Sequence, residues 1–352
     1  MKFRYLIAIC LVLSQLFISC LYEIEYDVQT NGEFLIKLDG FLEHVPTKVN
    51  AQGFEDGDAL GVYAVNYEDN NQYPGTLLDK GNQVDHMKYI FDEKNWKWNP
   101  SRPVYYKDVN TNIDLYAFYP YGEPSSVSEY NFEVQKDQST PKTNVKLGGY
   151  EASDFLWGKT ENVVPSESAI KVKLRHKMAG VQVILQEGTG FEQAEDYDFI
   201  EKKILVTSTT RKAKINLKDG TVSPIGEAQS TGIIMAAQSD GSYRAIVVPQ
   251  EIKAGYQLLS ITIDGMSYGF EKDATTFYEA GKLMKYTIRV DRKLPSGEYE
   301  LELIKSEIED WVEDINIYEG EARQYYCVQC EEPGTLGQQI KADSKNPNKI
   351  RN

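Results

Sequence analysis

Short runs in which apolar and polar residues alternate recur along this chain, and no helical pattern of 10–15 residues comes between them. Ile170-Lys171-Val172-Lys173-Leu174 is the cleanest run. Its period of two puts every apolar side chain on one face of a strand. Residues 59–65 are apolar almost throughout, as in a strand buried on both faces. Further strands are predicted at 34–38, 87–91, 96–98, 104–106 and 113–119, with 154–159 closing a first set. A second set is predicted at 170–174, 177–185, 203–207, 213–217, 245–249, 258–263 and 281–290. Gly, Pro and Asn punctuate both sets. Residues 123–150 are polar and turn-rich and read as a long loop, and Pro165-Ser166-Glu167-Ser168 reads as a linker. This spacing predicts an all-β protein of two antiparallel β-sandwich domains, 32–164 and 165–320. Residues 297–320 are ambiguous: 298–304 alternate like a strand, whereas Ile308, Trp311, Val312 and Ile315 have helical spacing.

The amino terminus follows another rule. Lys2 and Arg4 precede an apolar stretch at 5–13, followed by Ser14, Gln15 and then Leu16-Phe17-Ile18-Ser19-Cys20. That order predicts a secretory signal over 1–19, too short for a comfortable membrane span. A cysteine at the cleavage point resembles the lipobox of bacterial lipoproteins, which implies acylation of Cys20. Two or three acyl chains hold a protein on a bilayer far better than one, at ~0.8 kcal/mol per buried methylene. The expected location is the outer membrane, lipid-anchored and facing the surface. Residues 20–31, with Glu23, Glu25 and Asp27, form a polar tether.

Charge narrows the partners. The chain has 38 basic and 53 acidic residues; loss of Lys2 and Arg4 with the signal leaves 36 against 53, a formal charge of −17. Nucleic acid is excluded as a partner, since phosphate neutralisation needs clustered Lys and Arg. The 24 tyrosines, with many Val, Ile and Thr, favour strands.

No constellation for catalysis emerges, and neither a cofactor nor a metal is expected. Only His44, His86 and His176 are present, without a Ser/His/Asp order, and His176 between Arg175 and Lys177 reads as structural or exposed. Asp56-Gly57-Asp58 lacks the spacing of a calcium loop and reads as a turn. Cys327 and Cys330 have C-x-x-C spacing, but no second ligand pair accompanies them, so a local disulfide or two idle thiols is expected. Trp96, Trp98, Tyr105, Tyr106, Tyr116, Phe118, Tyr119 and Tyr121 could stack on a sugar. At period two, however, half of them should enter a core.

Several segments, taken in order, resemble the fimbrillin-like family of Bacteroidetes lipoproteins, which includes subunits of type V pili. They are the Cys20 lipobox, Phe54-Glu55-Asp56-Gly57-Asp58-Ala59-Leu60-Gly61-Val62-Tyr63, Ile113-Asp114-Leu115-Tyr116-Ala117-Phe118-Tyr119-Pro120-Tyr121, residues 154–159, Leu174-Arg175-His176-Lys177-Met178-Ala179-Gly180-Val181 and Ala280-Gly281-Lys282-Leu283-Met284-Lys285-Tyr286, followed by Trp311. The resemblance spans roughly residues 20–318. It implies two tandem transthyretin-like β-sandwiches and a non-catalytic subunit whose partners are other pilin-like subunits. It also implies that a protease removes the first strand (Phe34, Leu35, Ile36 and Leu38 here) so that a neighbour's strand fills the gap. The basic residue in the following loop is Lys48, where the family usually has arginine. The polar tail 321–352 lacks a long alternating donor strand, and Glu332-Pro333-Gly334-Thr335-Leu336-Gly337-Gln338-Gln339-Ile340 resembles the start of a leucine-rich surface module. The competing expectation is a monomeric surface lipoprotein that holds a glycan or a host protein.

Overall fold

The structure is a computed structural model and describes residues 34–42, 53–143, 146–192, 197–198, 200–228 and 231–311. Its regular secondary structure is nearly all strand. The first strands are β1 (Leu38–Leu42), β2 (Ala59–Glu68), β3 (Tyr73–Pro74), β4 (Val84–Asp92), β5 (Lys97–Pro100), β6 (Ile113–Tyr119) and β7 (Tyr130–Glu133). Then come β8 (Leu156–Val163), β9 (Ile170–His176), β10 (Ala179–Glu187), β11 (Lys202–Val206), β12 (Lys212–Asn216), β13 (Thr221–Ile225), β14 (Ile233–Ile234) and β15 (Ala236–Ala237). The remainder are β16 (Tyr243–Val247), β17 (Gln250–Ile252), β18 (Gln257–Ile263), β19 (Met266–Glu271), β20 (Thr276–Tyr278), β21 (Lys282–Arg292) and β22 (Tyr299–Asp310). Within residues 297–320, ambiguous in sequence, Tyr299–Asp310 form a strand.

The first sheet runs β2-β4-β5-β1-β9-β8-β6, and β6 pairs back to β2. The expected sandwich is therefore closed along both edges into a barrel, with β3 as an outlying hairpin arm on β2. Its interior is filled by alternate residues, among them Ile36, Leu38, Leu60, Val62, Tyr89, Trp98, Leu115, Val172 and Leu174. A closed ring of strands leaves few unpaired edges, which are the sites of unwanted association. The second body packs the sheet β15-β16-β10-β21-β22 and the sheet β14-β11-β18-β19 around one core.

Three of the described strands serve both cores; on β8, Leu156 enters the barrel and Trp157 the second core. On β6, Ile113, Leu115, Ala117 and Tyr119 enter the barrel, whereas Tyr116 and Phe118 enter the second core. β2 does likewise, with Leu60, Val62 and Ala64 on one side and Tyr63 and Val65 on the other. Every residue of β6 is buried as a result. This explains the apolar runs in sequence: a strand covered on both faces needs no polar alternation.

Three expectations shift. β9, expected to open the second domain, instead completes the barrel of the first, because its inward residues Ile170, Val172 and Leu174 fill that core. Residues 123–150 are more than a loop: β7 pairs with β12, and Val127, Tyr130, Phe132 and Val134 pack in the second core. The short apolar spacing within a turn-rich segment conceals that strand. Finally, among the described strands, β1 with β9 and β10 with β21 pair in parallel.

Candidate functional site

The barrel closes through one short strand near its amino-terminal end. β1 lies between β5 and β9. Against β9 it is parallel and paired from Leu38↔Ile170 to Leu42↔Leu174. Against β5 it has a single partner pair, Leu38↔Trp98. Ahead of β1, the Ile36 N–H donates to the Val104 carbonyl (2.9 Å) and the Tyr106 N–H donates to the Phe34 carbonyl (3.1 Å). Period two places Ile36 and Leu38 in the core, at 1% and 3% exposure, and leaves Leu35 and Lys37 outside.

Two buried side chains of the barrel reach this strand's backbone. The Tyr89 hydroxyl donates to the Ile36 carbonyl at 2.9 Å, and the Trp98 indole N–H donates to the Gly40 carbonyl at 3.2 Å. Burial holds the Tyr89 phenol far above its ordinary pKa, so it remains a donor throughout the physiological range. Removing residues 34–42 would thus expose an apolar trough and strand two side-chain donors and the open edges of β5 and β9. Each buried polar group left unpaired costs about 1–3 kcal/mol. An incoming strand would recover those terms. Tyr106, equally buried, already lacks a hydrogen-bond partner for its hydroxyl among the described residues, and burial raises its pKa to about 12.

The outer edge of β22, which no described strand covers, is managed differently. β22 carries a row of carboxylates paired with cations of β21 and its extension: Asp310 with Lys282 (2.6 Å), Glu309 with Lys285, Glu302 with Arg289 (2.5 Å) and Glu300 with Lys293 (3.3 Å). Such exposed pairs add little stability. Their charges, together with a bulge between Thr287 and Ile288, make the edge a poor template for another chain.

Among the residues singled out from the sequence, Phe34, Leu35, Ile36 and Leu38 come together at this closing segment, although the ladder proper runs from Leu38 to Leu42. Cys20, Lys48, Cys327 and Cys330 lie outside the described residues. The aromatic cluster divides: Trp98, Tyr106, Tyr116, Phe118 and Tyr119 are buried, whereas Trp96 is 46% exposed. Asp56-Gly57-Asp58 forms a turn, with buried Asp58 accepting from the Glu55 N–H (2.8 Å) and from Lys142 Nζ (3.0 Å). Among the described residues no three His, Cys, Asp or Glu side chains converge as metal ligands. His176 is buried and structural: its Nδ1 lies 2.9 Å from Asp154, and its ring stacks on Trp311 at 4.1 Å. The roles of Tyr89, Trp98 and Gly40 in holding β1 were not foreseen.

His86 supplies a pH test of the packing beside this barrel. Its φ of 44° and the register shift between Val62 and Ala64 mark a bulge in β4. The ring stacks on Tyr121 at 4.8 Å and on Phe118 at 5.9 Å. Burial lowers its pKa below 6.5, opposed by Glu123. A lowered folded pKa means that the unfolded chain takes the proton first. Its contribution to stability is therefore present above the unfolded pKa and is lost as pH falls through the lower folded one. His86→Asn, which tolerates positive φ, should flatten the fall of the urea midpoint between about pH 7.5 and about pH 5.5. An unchanged slope would assign that dependence to other groups.

A barrel closed by one amino-terminal strand is thus fused through shared strands to a second β-sandwich. The model of the fimbrillin-like family matches residues 47–311, and the chain belongs to that family, which is one of non-enzymatic structural proteins. Similar solved structures include a candidate cell adhesion protein from Bacteroides ovatus, 16% identical, covering 79% of this chain and 97% of that one at a TM-score of 0.57. Another, from Bacteroides uniformis, is 18% identical and covers 79% and 99% at a TM-score of 0.51. The tip fimbrial protein Mfa3 from Porphyromonas gingivalis, truncated at its C-terminus, is 11% identical over 79% and 99% at 0.44. The first two establish a shared fold. No curated protein matches the chain.

Proposed function

We propose that this chain is a lipid-anchored cell-surface subunit of a type V pilus-like assembly or adhesin, joined to its neighbours by β-strand addition. The observation that carries the reading is the position of β1: it alone bridges β5 and β9, so its loss opens the barrel at one seam and leaves the other strand pairings intact. Main-chain groups along an opened seam supply affinity, and side-chain troughs supply selectivity. Lys48 lies in sequence between β1 and β2. Cleavage after it would detach β1 and the Cys20 anchor on one fragment, so that neighbours rather than lipid would then hold the subunit. Cys327 and Cys330 would form a local disulfide in the tail.

Two substitutions test the parts separately. Cys20→Ala should move the protein from the membrane fraction to the soluble extracytoplasmic fraction. Lys48→Gln should keep the chain at full length and abolish multimers that resist a non-boiled gel. Multimers that persist at full length in Lys48→Gln would show assembly without strand removal.

A further inference from the structure

The way β1 is held specifies what else could take its place. Resting on the strand-addition reading, we propose that the seam selects its filler by a short code. The filler has branched aliphatic residues at the positions of Ile36 and Leu38, an acidic residue at that of Asp39 and glycine at that of Gly40, and it runs parallel to β9. The partner is thus a strand of another subunit with this chemistry.

Glycine is the strictest position. A Cβ built on Gly40 would stand 3.2 Å from Trp98 Nε1 and 3.3 Å from Leu60 Cδ1, both buried. Trp98 cannot retreat freely, because its indole N–H donates to the carbonyl of Gly40 itself. Its ring is also packed against Phe54 at 4.9 Å and Phe91 at 5.1 Å. A branched side chain there would break the bond that helps to seat the strand. The positions of Ile36 and Leu38 are set by depth: both side chains are almost wholly enclosed, and the Tyr89 hydroxyl fixes the carbonyl of Ile36.

The acidic position is set by register. Asp39 lies opposite Lys171, and the exposed face of β9 continues with Lys173 and Arg175. No ion pair joins the two residues, so the preference for an acid over a base there comes from the field of the neighbouring cations. On the outer side this basic face therefore disfavours lysine at that place in an incoming strand. It contrasts with the acidic β22 edge and with the negative charge of the chain as a whole.

The test uses the full chain carrying Leu38→Asn, which weakens its own β1, together with dye-labelled synthetic peptides of the 34–42 sequence read by fluorescence anisotropy. The native peptide should bind saturably. The peptide with Gly40→Val should bind at least about tenfold more weakly, a difference of about 1.4 kcal/mol. The peptide with Asp39→Lys should bind a few-fold more weakly at low salt, and Lys171→Glu in the chain should restore it. Equal binding of native and Gly40→Val peptides would overturn the code while leaving strand addition intact. Binding of none would overturn both. Should Leu38→Asn fail to fold, Gly40→Val in the otherwise native chain gives a second readout. Amide exchange should then accelerate across 36–40 and 172–174 while 180–183 stays protected, and unchanged exchange at the seam would overturn the code.

Discussion

Replacing Phe118 by alanine is expected to destabilise the protein by about 3–5 kcal/mol, the usual cost of removing a buried aromatic. The ring is 1% exposed and lies in the second core beside Phe155 at 5.9 Å and Tyr130 at 5.7 Å. It also covers Gly61 on the paired strand so closely that a Cβ there would stand 2.3 Å from the ring. Because β6 is shared by both cores, the loss should reach the barrel as well as the second body. A urea titration followed by tryptophan fluorescence and by far-ultraviolet dichroism should show both signals moving to lower urea together. Gly61→Val should also destabilise, by overpacking, typically by about 1–3 kcal/mol and occasionally more. A barrel signal unaffected by Phe118→Ala would mean that the two cores are not coupled through this strand.

The second large effect lies at the seam. Leu38→Ala should cost about 2–5 kcal/mol, because a side chain 3% exposed leaves a cavity between Trp98 and Ile170. Its location should differ from that of Phe118→Ala. Amide protection should fall first at Ile170–Leu174, the partner ladder, before the β10–β21 ladder opens. Ile308→Ala on the exposed β22 edge is the control, expected within about ±0.5 kcal/mol. Equal loss of protection in both bodies would argue that β1 is an integral part of a single cooperative unit rather than a separable closure.

Much of this architecture was legible in the residues because period two and turn chemistry act locally. The alternation in Ile170–Leu174 reports one buried face, and the structure repeats it residue by residue. The unbroken apolar run at 59–65 reports a strand covered on both sides. What local pattern cannot convey is which core each face meets. β9 follows a Pro- and Ser-containing linker, yet it returns to the first barrel, because its inward residues complement that cavity rather than the second core. β7 was hidden by its polar surroundings, and only its pairing with β12 makes Tyr130 and Phe132 core residues. The strand expected at Phe34–Leu38 overlaps the observed ladder, Leu38–Leu42, only at Leu38. Gly40 is extended backbone beneath an indole. Its requirement arises from Trp98, distant in sequence, and no propensity encodes it.

The most direct test of the central claim is the amino-terminal residue of the protein recovered from intact cells, read beside its mobility in a non-boiled gel. Strand addition at the seam predicts a terminus at Val49 and a ladder of multimers. An acylated Cys20 on a single monomeric band would contradict it and would leave β1 as a permanent stave of the barrel.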